Sequence, residues 1–358
     1  MNFTFLNDTY GESLVLAVGG GVIGCLFGFF AQRSRFCLRA AVIEFWHRQF
    51  GEKLSVWLLT FASAVIAIQA LIVWGALDVS NARQLATRGS LSGALIGGLL
   101  FGAGMVLTRG CASRLLVLSA TGNLRALLSG LIFAVTAQSA LSGALAPWRE
   151  HLSGLWTVEA GASRDVLAIL GWTHTTGVWI GGLWLLAALY FTLRTTHRVW
   201  MWLGGIGTGL SVALAWWWSF QVAQASFEVV PVQGITFSGP SADWLMRVIA
   251  PNPPGLNFDF GLLPGVFLGA FASAWWGHEL TLEGFKDGYS MRRYIAGAVL
   301  MGFGAMLAGG CAVGAGVTGG AIFALTAWLA LAGMWVGAGI IDHWLDAPPR
   351  SAPSLIQP

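Results

Sequence analysis

Charge is scarce in this sequence. Asp, Glu, Lys and Arg make up 10% of its 358 residues, while hydrophobic residues make up 56%; a soluble domain carries about 25% charged residues. The shortage excludes a chain of water-soluble domains. It also leaves no basic cluster, apart from the apolar runs, on which nucleic acid would bind. There is no Cys-x-x-Cys pair for disulfide exchange and no glycine-rich P-loop for nucleotide, so ATP is not consumed by this chain. The six histidines are scattered, and four cysteines are too few for a disulfide scaffold. The first 13 residues hold no Lys or Arg, so the first apolar run is expected to be a retained span and not a cleaved leader.

What is abundant points to a bilayer. The chain has 49 glycines and 19 tryptophans. Glycine suits close helix packing in lipid, and tryptophan suits the membrane–water interface. A spanning helix needs about 20 mostly apolar residues. Nine segments qualify, near 14–31, 54–77, 91–108, 124–146, 173–193, 199–220, 261–277, 294–309 and 318–341. The predicted fold is therefore all-α, a polytopic membrane protein with about nine transmembrane helices. A single membrane domain is expected over residues 1–346, followed by a disordered tail over 347–358. With the N-terminus outside and nine crossings, the inner segments hold fourteen Lys and Arg and the outer ones five. That bias predicts N-out, C-in. The stretch 221–258, rich in proline and poor in basic residues, is expected to be an external loop.

The chain repeats itself. Gly102-Ala103-Gly104, Leu107, Gly110 and Cys111 recur 200 residues later as Gly302-Phe303-Gly304, Leu307, Gly310 and Cys311, with Gly97 matching Gly297. A fainter copy lies 74 residues upstream, where Leu26-Phe27-Gly28 and Arg35-Phe36-Cys37 match Leu100-Phe101-Gly102 and Arg109-Gly110-Cys111. The segments ahead of these cysteines are short, which predicts broken or re-entrant helices there. The run before Cys111 starts from outside and the run before Cys311 from inside, so halves near 14–146 and 199–341 form an expected inverted repeat. Such repeats commonly place a transport site where they meet.

Cys37, Cys111 and Cys311 share one repeat frame, and Cys25 lies outside it. Helix packing alone would accept Ala or Ser at all three positions. A soft-metal path lacks clustered Met and His partners, which leaves contact with a polarisable acceptor passed between neutral, weakly donating thiols. Arg35 and Arg109 each stand two residues before a Cys and read either as anchors at the inner interface or as an electropositive funnel for an anion. Arg33, Arg39 and Arg114 are further candidates for such a funnel. Ser113, Asn123 and Thr318 are candidate helix caps. No catalytic residue, metal ligand or cofactor is expected.

FGFFAQRSRFCLRA at 27–40, FGAGMVLTRGCASR at 101–114 and GFGAMLAGGCAVGAG at 302–316 resemble the YeeE/YedE family of bacterial sulfur-transport membrane proteins, apart from a missing Gly-Gln pair. The likeness runs from Val22 to Ile341. It implies uptake of thiosulfate across the bacterial inner membrane, where the N-out, C-in reading makes the N-terminus periplasmic and the C-terminus cytoplasmic. It implies that Cys37, Cys111 and Cys311 line the path and contact the ion. It also implies a small cytoplasmic TusA-like sulfur-carrier protein as a separate partner. A membrane sulfurtransferase, or a transporter of another sulfur or selenium species, is the alternative.

Overall fold

The computed structural model of the protein describes residues 3–195, 199–227, 230–250, 255–284 and 288–345; the tail 347–358 lies outside them. In chain order the helices are α1 (Phe3–Tyr10), α2 (Glu12–Arg33), α3 (Leu38–Trp46), α4 (Glu52–Val73), α5 (Arg83–Ala86), α6 (Leu91–Leu107), α7 (Ala112–Ala120) and α8 (Leu124–Ser142). They continue with α9 (Ala146–Gly154), α10 (Val166–Ile169), α11 (His174–Thr195), α12 (Val199–Gln224), α13 (Ser238–Ile249), α14 (Phe258–Trp276), α15 (Gly288–Leu307) and α16 (Leu325–Leu345). A π-helix over Ala312–Gly319 sits between the last two. The sheet content among the described residues is one antiparallel pair of two-residue strands, Gly89–Ser90 with Thr157–Val158.

Nine spans among the described residues are long and apolar enough to cross a membrane, and they fall on the nine segments read from hydropathy. The protein is an all-α, multi-pass membrane protein. Three spans run longer than expected, Glu12–Trp46, Leu91–Ala120 and Ser290–Gly319, because each contains a break and a second helix. Helix α11 lies at the periphery, with Trp179, Leu183 and Leu186 exposed. Apolar side chains are exposed there because the surrounding solvent is lipid.

Lipid removes most of the hydrophobic drive between helices, so association rests on close backbone packing through small residues. Two pairs show this. Gly20, Gly24 and Gly28 of α2 face the carbonyls of Phe258, Leu262 and Val266 on α14, and Gly261, Gly265 and Gly269 face those of Ala17, Gly21 and Cys25. The numbers rise together, so α2 and α14 run parallel. By the same reading α6 and α16 are parallel, through Gly98, Gly102, Gly333 and Gly337. Helices α6 and α15 are antiparallel, with Gly97 against Gly304 and Gly104 against Gly297. These directions agree with nine crossings. The last pair is also reciprocal, each glycine meeting the counterpart of its partner.

The segment after α12 departs from the external loop expected from composition. Val232, Ile235, Phe237, Ser238 and Ala242 are buried. Its backbone is held by side chains in place of a helical ladder: Ser219 Oγ donates to Gln233 O (2.7 Å) and Thr318 Oγ1 to Ile235 O (2.6 Å). Irregular backbone is tolerated where protein surrounds it and supplies its hydrogen bonds.

Candidate functional site

Three long helices stop and restart in the same way. Helix α2 ends at Arg33, Arg35 turns left-handed (φ 53°), and Phe36 N–H reaches back to Ala31 O at 3.0 Å. Helix α6 ends at Leu107, Arg109 takes φ 59°, and Gly110 N–H donates to Met105 O at 3.0 Å. Helix α15 ends at Leu307, Gly309 takes φ 76°, and Gly310 N–H donates to Ala305 O at 2.9 Å. Each is a Schellman-type stop. The next residue but one is Cys37, Cys111 or Cys311, and each is the N-cap of the following short helix. Glycine takes a left-handed turn freely, whereas arginine there costs roughly 1–2 kcal/mol. Phe323 takes the same conformation at φ 55°.

The restarts differ in length. Left-handed residues close them at Arg48, Gly122 and Phe323, eleven residues beyond Cys37 and Cys111 but twelve beyond Cys311. The additional residue is absorbed as the π-helix, whose wider turn accommodates one insertion.

The three thiols do not meet at one point. Cys37 is partly buried and Cys111 fully buried, and the two thiols are near enough to influence each other electrostatically. Cys111 Sγ lies 3.4 Å from Ser113 Oγ. Arg114 stands within electrostatic range of both thiols, its Nη1 donating to Gln32 Oε1 at 3.2 Å. Gln32 in turn donates to Glu279 (2.8 Å), which also pairs with Arg35 at 3.4 Å. Buried Cys311 stands apart and accepts the Gly314 N–H at 3.4 Å. The exposed Cys25 lies outside the site, with its carbonyl on Gly269. The cysteines themselves occupy the cap positions. Of the three candidate caps, Asn123 does cap its helix, accepting from Ala126 N–H at 2.9 Å. Ser113 instead touches Cys111, and Thr318 holds the extended segment.

Cations gather at both ends of the antiparallel α6–α15 pair. At the start of α6 and the end of α15 lies a cavity of about 200 Å³, lined by Arg83, Arg88, Arg164, Gly309, Gly314 and Thr326 among others. Arg83 Nη2 reaches Gly309 O at 3.5 Å, in the turn before Cys311. Arg164 is buried and donates to Thr87 O and to Thr326 Oγ1, the latter at 2.8 Å. Burial, and then the nearby Arg83, lower its pKa below the ordinary arginine value, though guanidinium stays charged. Its Nε and the Gln84 Oε1 are buried without a partner among the described residues. Composition missed this vestibule because its arginines read only as loop charges. The far end of the pair, about 25 Å away at 1.5 Å per residue, carries Arg109 and Arg293.

A family described as Sulphur transport matches residues 33–340. The chain is 31% identical over 344 residues to a thiosulfate transporter TsuA of Spirochaeta thermophila, covering 90% of this chain and 98% of that protein. It is 24% identical over 350 residues to the thiosulfate transporter TsuA of Escherichia coli K12, covering 91% and 95%. A shorter match, 38% over 89 residues, joins it to the probable transporter YedE of Salmonella typhimurium, covering 24% of this chain and 22% of that one.

Proposed function

We propose that this chain, which belongs to the YeeE/YedE family of sulphur transport proteins, carries thiosulfate inward across the bacterial inner membrane. The observation that carries the reading is the meeting of Cys37 and Cys111 at the N-termini of α3 and α7 beside Arg114. Two cysteine side chains, the positive ends of two short helices and a guanidinium suit an anion with a polarisable sulfur. The names of the TsuA relatives, which match over nearly their whole length, support thiosulfate as that anion.

The path runs from the Arg83–Arg164 vestibule, past Cys311, to Cys111 and Cys37, and out between Arg35 and Arg109. Successive weak contacts allow release as well as capture. The fourteen-to-five distribution of Lys and Arg supports a periplasmic N-terminus and vestibule and a cytoplasmic C-terminus. A small TusA-like sulfur carrier, implied by the family likeness, receives the ion on the cytoplasmic side.

Two measurements test this. A strain lacking sulfate uptake should accumulate labelled thiosulfate only when it expresses the chain; equal accumulation with an empty vector overturns the function. A reporter active only in the cytoplasm should work when fused after Pro358; silence there, with an external reporter active, overturns the orientation.

A further inference from the structure

We propose that Glu279 sets the release of the ion: its carboxylate occupies an anion position on Arg35 and Gln32, and the outgoing dianion displaces it. This role rests on the inward path described above.

Helix α14 stops as α2 does. His278 turns left-handed (φ 53°), and Glu279 N–H donates to Ala274 O at 2.8 Å. Helices α2 and α14 are parallel and joined through their glycines, so the two stops come together. The Glu279 carboxylate accepts from Gln32 Nε2 at 2.8 Å and pairs with Arg35 Nη2 at 3.4 Å. Gln32 is buried, and its Oε1 accepts from Arg114 Nη1 at 3.2 Å. Arg114 lies on α7, in the first turn after Cys111. One row of hydrogen bonds therefore runs from the helix that Cys111 opens to the Glu279 carboxylate.

The segment beyond Glu279 is fixed at its other end. Thr281 N–H donates to Thr121 O and Glu283 N–H to Gly122 O, each at 3.1 Å, and Leu124 N–H donates to Glu283 O at 3.0 Å. Asn123 Nδ2 also donates to the Glu283 carboxylate. Residues 121–124 are the turn that closes α7. Residues 279–283 thus form a strap from the stop of α2 to the end of α7, and the strap holds Glu279 against its donors.

A guanidinium and an amide N–H side by side suit any oxyanion. The carboxylate already on them is a tethered competitor. Its hold is weak, because the Arg35 side chain is 52% exposed and that of Glu279 33%. A weakly held carboxylate yields to a dianion and returns to the same donors, which keeps the arginine from retaining the ion.

Equilibrium binding of labelled thiosulfate to the purified full-length chain in low salt tests this. Glu279→Gln keeps the shape and an amide oxygen for Gln32 but removes the charge. It should bind about tenfold more tightly than the wild type. Adding Arg35→Gln should return the affinity to the wild-type value or below, and Arg35→Gln alone should bind more weakly than the wild type. In cells lacking sulfate uptake, Glu279→Gln should lower the maximal rate of thiosulfate uptake. Equal or weaker binding by Glu279→Gln, tighter binding that survives the loss of Arg35, or a raised maximal rate overturns the proposal. If the wild type takes up no thiosulfate while the binding differences hold, the transport reading falls and Glu279 remains a tethered competitor of a bound anion.

Discussion

Replacing Cys111 with alanine is expected to reduce thiosulfate uptake by about ten- to a hundredfold, the equivalent of losing a buried polar contact worth roughly 1–3 kcal/mol. Cys111 is fully buried, touches Ser113, and begins α7 where the helix end is positive. Alanine has nearly the same shape and good helix propensity, so the folded protein should persist at normal levels in the membrane. Cys311→Ala should act similarly, because its thiol is buried at the N-cap of the π-helix. Cys37→Ala should be milder, since that side chain is only partly buried. Cys25→Ala should be silent. Growth on thiosulfate as sole sulfur source reads all four variants, and normal growth of the Cys111→Ala strain would remove the thiol path. A persulfide at high occupancy on Cys311 in protein from transporting cells would favour a sulfurtransferase instead.

The second large effect concerns the fold. Gly261→Ala should sharply lower the yield of monodisperse protein, and a larger side chain should abolish it. A Cβ at Gly261 would lie 1.8 Å from the Ala17 carbonyl oxygen. That atom is backbone in a helix and has nowhere to move. Overpacking of this kind costs typically 1–3 kcal/mol or more, and α2 and α14 would have to separate along their whole contact. Gly182→Ala on α11 is the control, because a Cβ there meets nothing within 4 Å. Equal melting temperatures for Gly261→Ala and the wild type would show that the two helices are not joined in this register.

Hydropathy located the nine spans because each carries a long apolar run and few charges. It could not see that three of them restart as short second helices, since α3 and α7 are only nine residues each. The repeat frame located those breaks, because Arg35, Arg109 and Gly309 occupy matching positions. The vestibule was invisible for another reason. Arg83 and Arg164 are 81 residues apart and meet only through the folded chain, where Arg164 donates to the Arg83 carbonyl. The buried segment around Ile235 was read as an external loop because the stretch is rich in proline and poor in basic residues. Its burial depends on Thr318 and Ser219, which offer hydrogen bonds that composition does not register. The slip from eleven to twelve residues after Cys311 was present in the sequence, but only the left-handed Phe323 shows where the count ends.

The two parallel glycine contacts also limit how the molecule can move. Along α2 and α14 the backbones touch at every fourth residue, with carbonyl oxygens filling the places where side chains would otherwise act as a yielding layer. Sliding one helix past the other by a single glycine step means a shift of about 6 Å at 1.5 Å per residue, through positions where backbone collides with backbone. The same holds for α6 and α16. Helices locked in this manner form fixed columns, so any rearrangement falls to the side chains and to the short turns that follow α2, α6 and α15.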